Sequence, residues 1–251
     1  MYRSRNPALS DSTFDKSAYT DVPWWDDQDS NLMTMEGTVE KTGILLILIS
    51  TTAIATAMFM PEAILMSLIG GIAGFILAMV IIFSRSTSPV LISIYAICQG
   101  LVLGGVTWLY EQYFPGIGIL AVVLTMAILG TMLAIYRAGL IEWNRNLQIA
   151  VTSAMMAILV IYLVSFIGIF MGFEVPYIHE ASPLGIAFSL FVIGIASLCL
   201  VADFDFIERG VETGAPKQLE WRAAFGLMVT LVWLYLEILE LLAKIAIYSR
   251  R

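Results

Sequence analysis

The sequence predicts an all-α integral membrane protein with seven transmembrane helices. Three observations lead there. Hydrophobic residues make up 59% of the 251 and charged residues only 13%, outside the range of soluble domains. Long runs lack any charged residue. The basic residues alternate between successive loops.

A membrane helix needs roughly 20 mostly apolar residues to cross a hydrocarbon core of ~30 Å. Six runs of that length contain no Asp, Glu, Lys or Arg: 42–61, 63–84, 86–110, 112–136, 147–173 and 181–202. A seventh apolar run, 223–247, carries Glu237, Glu240 and Lys244 inside it. Gly70, Gly71, Gly74, Gly100, Gly104 and Gly105 recur at spacings that suit close helix packing.

Orientation follows from the bases, because Lys and Arg in short loops favour the cytoplasm. Lys41 precedes helix one, Arg85 separates helices two and three, and Arg137 and Arg145 separate four and five. Arg209, Lys217 and Arg222 lie between six and seven, while the alternate loops 61–62, 111–115 and 174–182 contain no base. The amino terminus is therefore expected in the cytoplasm. Lys244, Arg250 and Arg251 speak against an outside carboxyl terminus, so the last segment is read as a full span with a re-entrant segment as the alternative.

Two regions are expected: a disordered acidic cytoplasmic tail, 1–38, and a seven-helix transmembrane domain, 39–251. The tail is polar and contains Pro7 and Pro23, and Trp24 and Trp25 suit the membrane interface. Its acids contribute much of the net charge of −7, which argues against a nucleic-acid partner. The first apolar run starts too late and runs too long for a cleaved signal peptide. Cys98 and Cys199 fall inside spans, where a thiol packs as a small apolar group. The one histidine, His179, is too little for a His-rich metal site or a bis-histidine haem. No cofactor is expected.

An ionisable side chain inside hydrocarbon costs at least ~2.5 kcal/mol and so needs a cavity or a partner. That filter selects Asp203 and Asp205 at the end of helix six, with Glu237 and Glu240 in helix seven. Asp203 and Asp205 are two apart, ~200° around a helix, so one faces the bundle and the other is solvated. Glu237, Glu240 and Lys244 share a face, and Glu240 has Lys244 as a ready partner. Glu237 has no base near it in sequence. Two buried carboxylates facing each other do not both ionise cheaply, which makes such a pair a proton sensor. When ionised, their oxygens suit a hard cation such as calcium. Arg85, at the end of helix two, is placed to bond Asp203 and close a cytoplasmic gate.

Three stretches also carry a family likeness. They are Met33-Thr34-Met35-Glu36-Gly37-Thr38-Val39-Glu40-Lys41-Thr42 and Gln99-Gly100-Leu101. The third runs from Asp203-Phe204-Asp205-Phe206-Ile207 through Gly214-Ala215-Pro216, Glu220-Trp221 and Ala224-Phe225-Gly226-Leu227 to Leu234-Tyr235-Leu236-Glu237-Ile238-Leu239. Over 31–247 the chain resembles the transmembrane Bax inhibitor motif family, most closely its actinobacterial-type branch.

The resemblance implies a central last helix, a place in the bacterial plasma membrane, and a pH-sensitive calcium leak governed by carboxylates of helices six and seven. By position these are Asp203 and Glu237, the pair that would also meet calcium as permeant ion, with Arg85 nearest to the family's latch arginine across a gap. The chain departs from the pattern in having Glu237 for the commoner Asp and Glu240 where relatives tend to have Arg. With helix six ending near Arg209 and helix seven starting near Arg222, Asp203 lies ~9 Å and Glu237 ~22 Å from those ends. Direct contact would then require an irregular or re-entrant start to helix seven.

Other classes fit less well. Glu240 and Lys244 imitate the acid and lysine of a retinal protein, but helix three has no counter-ion carboxylate. An intramembrane protease would need Gly-x-Gly-Asp, His-Glu-x-x-His, or Ser with His at membrane depth. No enzyme activity is expected. A non-conducting protein that binds other membrane proteins or proteases is compatible with the whole sequence. The bilayer, and calcium or other cations, are the remaining expected partners.

Overall fold

The computed structural model describes residues 31–59, 63–172, 178 and 180–250. They form α1 (Met35–Phe59), α2 (Ala63–Phe83), α3 (Pro89–Tyr113), α4 (Ile117–Arg137), α5 (Arg145–Met171), α6 (Pro183–Glu212) and α7 (Leu219–Tyr248). All seven are long and apolar enough to cross a membrane, so the chain is an all-α integral membrane protein. In α7 72% of the most apolar window is buried, against 11% to 44% in the other helices.

The helix ends follow from local chemistry. Glu111 accepts from the amides of Gly116 and Gly118 at 2.7 and 2.9 Å, placing an acid at the positive amino end of α4. Asn144 caps α5 by accepting from the Leu147 amide at 2.9 Å. At the end of α6, Gly214 adopts φ 66°, and the amides of Ala215 and Gly214 return to the carbonyls of Gly210 and Val211. This is a Schellman stop, followed directly by Pro216.

Helix α2 ends the same way, but the left-handed position is held by Arg85, with φ 51°. The Ser86 amide reaches the Ile81 carbonyl, and the Arg85 amide reaches that of Ile82. An L-residue pays for that conformation where glycine would not.

The chain divides into two compact units. The described part of the first is 31–59, 63–109 and Asp203–Val232, so it holds α1, α2, most of α3, and the adjoining ends of α6 and α7. Here α3 packs through glycine. A Cβ on Gly104 would fall 2.5 Å from the Ala53 carbonyl of α1, and one on Gly105 2.5 Å from the Ala63 carbonyl of α2. The glycines thus let three backbones approach closely. Tyr95 and Phe225 meet edge to face at 5.0 Å.

The second unit comprises Tyr110–Ala202 and, among the described residues, 233–250. Val151, Ile158, Val192, Ile195 and Cys199 form its core, with Tyr162, Phe188 and Trp233 packed against it. Cys98 and Cys199 are both buried thiols, in the first and second unit respectively.

Two sequence expectations are corrected. Residues 31–38 do not belong to a disordered tail: Leu32 bridges to Pro216 in antiparallel fashion, and α1 begins at Met35. The helix starts this early because Thr34 caps it, accepting from the Gly37 amide at 3.0 Å. Residues 1–30, including Trp24 and Trp25, and His179 lie outside the described residues. The second correction concerns helix seven. Its start lies at Leu219 rather than near Arg222, and α7 is one uninterrupted helix of 30 residues, in keeping with the full span read from the sequence.

Candidate functional site

Of the four carboxylates singled out by their cost in hydrocarbon, two are buried, Asp203 at 3% and Glu237 at 5% exposure, while Asp205 and Glu240 are half-buried. Asp203 belongs to the first unit and Glu237 to the second, and each has its own set of partners.

In the first unit the Thr230 hydroxyl of α7 donates to Asp203 Oδ2 at 2.6 Å. Thr230 also lies 3.3 Å from the Gly226 carbonyl one turn back, the usual resting place of a helical threonine hydroxyl. The shorter contact, to the acid, is the tighter one. Asp205 is only half-buried and pairs with Arg209 one turn on. The ~200° between the two aspartates thus separates an inward acid from one held at the helix surface.

The same unit contains ionic contacts that the charge filter overlooked. Glu220, fully buried, accepts from the Thr34 amide at 2.9 Å and the Thr34 hydroxyl at 3.0 Å, and it pairs with Lys41. Arg222, also buried, directs Nη1 to the Ile81 carbonyl at 3.4 Å. An acid therefore meets the amino end of α1 and a cation the carboxyl end of α2, each of the sign the helix end favours. The side chain of Arg85 is exposed.

In the second unit, Glu237 Oε1 accepts from Tyr162 Oη at 2.7 Å and from Trp233 Nε1 at 3.0 Å. Glu237 Oε2 is buried without a hydrogen-bond partner among the described residues. Tyr162 is itself held edge-on by Phe188, with ring centres 6.3 Å apart. Further along α7, Lys244 is 3% exposed. It pairs with Glu240 Oε1 at 2.7 Å and donates to Ser189 Oγ at 2.8 Å and the Ile178 carbonyl at 2.7 Å. Three acceptors match the three protons of its ammonium. Glu240 and Lys244 thus form a structural clamp, as their spacing suggested.

The Bax inhibitor 1 like family matches residues 6–247. The chain belongs to that family. The match covers the first six helices, all of α7 but its last residue, and all of the residues just described, and it begins well before the likeness read from motifs. Among curated proteins, no relative matches the chain.

For a member of this family, the partners of the acids were not foreseen from sequence: Thr230, Tyr162 and Trp233 lie outside the motifs, and Thr34 and Lys41 lie within the first motif without a role beside an acid. They are neutral, or lie at a helix end, so the cost of charge in hydrocarbon does not single them out. A usable sign for Glu220 was its place in the first turn of α7 beside Trp221, in the most specific of the three motifs.

Proposed function

We propose that this Bax inhibitor 1 like protein is a pH-sensitive leak for cations, calcium among them, in the bacterial plasma membrane, with its amino terminus in the cytoplasm. The family is associated with membrane ion leak. The observation that carries the reading is Glu237: a carboxylate in the most buried helix, with one oxygen held by two donors and the other without a partner among the described residues.

An acid in that setting changes its surroundings sharply when it gains or loses a proton, because no bulk water absorbs the change of charge. Oε2 is the oxygen open to a proton, and when ionised it offers a cation a hard ligand. Asp203 is the second acid of the reading, steadied by Thr230. Arg85 remains the latch candidate from sequence. Calcium acts here as the transported ion, and the reading requires no enzyme chemistry and no cofactor.

Calcium flux into proteoliposomes of the purified protein, measured at two pH values beside Glu237→Gln, tests the reading. A pH-dependent flux in the wild type that the variant loses supports it. No flux at either pH sinks it in favour of a non-conducting protein that regulates membrane partners.

A further inference from the structure

We propose that residues 31–34 form a strap that bolts the amino end of α7 to α1, with Glu220 as the bolt, and that its release is the step that frees this end of α7. The strap is held along its length. Asn31 accepts from the Lys217 amide at 2.7 Å, Leu32 bridges to Pro216, and the Met33 amide donates to the Ala215 carbonyl at 2.7 Å. Met33 is 2% exposed, so the strap is anchored by an apolar plug as well as by its backbone. Thr34 then turns the chain into α1 and hands two donors to Glu220, while Lys41, more than one turn along the same helix, supplies the countercharge.

This arrangement is all-or-none. Glu220 is 0% exposed, and a buried carboxylate tolerates neither the loss of its cation nor a half-satisfied set of donors. Thr34 and Lys41 must therefore leave together, and what then remains of the strap's hold is its short backbone pairing and the buried Met33. Gly37 makes the fit tight: a Cβ there would lie 2.5 Å from both carboxylate oxygens of Glu220. The carboxylate could yield only by leaving Thr34 and Lys41. Arg222, two residues beyond Glu220, ties the same turn of α7 to the end of α2. The first turn of α7 is thus held by charge at two helix ends, and charge contacts, unlike an apolar core, break and re-form with little rearrangement of packing.

Gly37→Ala is the chosen wedge, because alanine strengthens an α-helix and so opens the bolt without melting α1. Hydrogen–deuterium exchange of the whole protein in lipid nanodiscs reads the result. In Gly37→Ala, peptides covering 31–34 and 219–226 are expected to exchange about tenfold faster than wild type while those of α3 are unchanged. A second variant, Leu32→Cys with Pro216→Cys and both native cysteines changed to alanine, closes the strap covalently, since antiparallel bridge partners lie within disulfide reach. Oxidised, it is expected to slow exchange at 219–226 below its reduced form. Exchange at 219–226 within about twofold of wild type in Gly37→Ala, or unmoved by the disulfide, overturns the strap.

The effect on ion passage rests on the leak reading. In proteoliposomes, oxidation of the strap is expected to lower calcium flux and reduction to restore it. A wild type without flux defeats the leak reading and leaves the exchange result standing. Flux equal in the two redox states, with exchange responding, shows that freeing α7 is not the conducting step and overturns the strap as a gate.

Discussion

Tyr162 of α5 donates its hydroxyl proton to one oxygen of Glu237 at 2.7 Å and leaves the other oxygen buried without a partner among the described residues. The carboxylate is thereby made asymmetric. Oε1 is committed to Tyr162 and Trp233, so a proton or a cation arriving at this acid has one oxygen to meet. On the same helix, Glu240 and Lys244 form a pair with each other. Of the acids in α7, Glu237 is the one without an ion pair among the described residues.

Glu237→Gln is expected to fold and to lose the pH dependence of calcium flux. The amide oxygen still accepts from Tyr162 and Trp233, so packing persists, while the group no longer takes up or releases a proton. Flux measured across the pH range in proteoliposomes checks this. A variant with the wild-type profile would mark Glu237 as a structural acid.

Lys41→Met is expected to destabilise the first unit strongly. Glu220 would be left fully buried with its charge uncompensated, a loss on the order of 3 kcal/mol. Glu220→Gln in the same background should recover much of it, because the amide still accepts from Thr34 without carrying a charge. Thermal unfolding in detergent of the two single variants and the double variant provides the cycle. Equal losses in Lys41→Met with and without Glu220→Gln would contradict the pairing.

The seven helices were legible because the cost of charge in hydrocarbon leaves long uncharged runs, and that rule acts residue by residue. The same rule misplaced the start of α1. Glu36, Glu40 and Lys41 are charged and so fell outside the apolar run, yet they stand on the helix, which starts at Met35. The burial of Glu237 was legible for the same reason. Its partners were not: Tyr162 lies 75 residues away and reads as one more apolar residue of α5 until the helices pack. The grip on Glu220 was hidden for a different reason, since Thr34 is 186 residues distant and no local pattern links the two.

Arg85→Gly is expected to raise stability by roughly 1 kcal/mol, because Arg85 occupies a left-handed position, φ 51°, that glycine takes without strain. Its exposed side chain contributes little packing to offset that gain. If Arg85 serves as a latch, the same variant conducts more. A rise in melting temperature with unchanged flux would separate the turn geometry from any gating role.

The carboxyl end of α7 is expected on the side opposite the amino terminus. Arg250 lies over Phe114 of the α3–α4 connection at 4.7 Å, and Lys244 reaches Ile178 of the α5–α6 connection. Both connections are the base-poor ones. Lys244, moreover, is spent on Glu240 and does not count as a free cation in the charge balance of the loops. Ser182→Cys in a cysteine-free background should react with an impermeant maleimide added outside intact cells. Reaction from the cytoplasmic side alone would invert the topology.

Asp203, not Asp205, is expected to govern flux, and the contrast between the two tests the site by geometry. The pair differ in every respect that matters inside a membrane. Asp203 is 3% exposed and takes the Thr230 hydroxyl at 2.6 Å. Asp205 is half-buried and already neutralised by Arg209 on its own helix. Asp205→Asn removes a partly exposed pair of the kind worth ~0.5 kcal/mol, so stability and flux should both stay near wild type. Asp203→Asn keeps the shape and still accepts from Thr230, but it removes a buried group able to gain or lose a proton, so its effect should appear in flux before it appears in folding. Thr230→Val is the companion variant. It leaves Asp203 in place but without this donor, and a buried acceptor stripped of a hydrogen bond costs about 1–3 kcal/mol, so it should lower the melting temperature more than Asp203→Asn does. If Asp205→Asn altered flux while Asp203→Asn did not, the inward acid would have been assigned to the wrong face of α6.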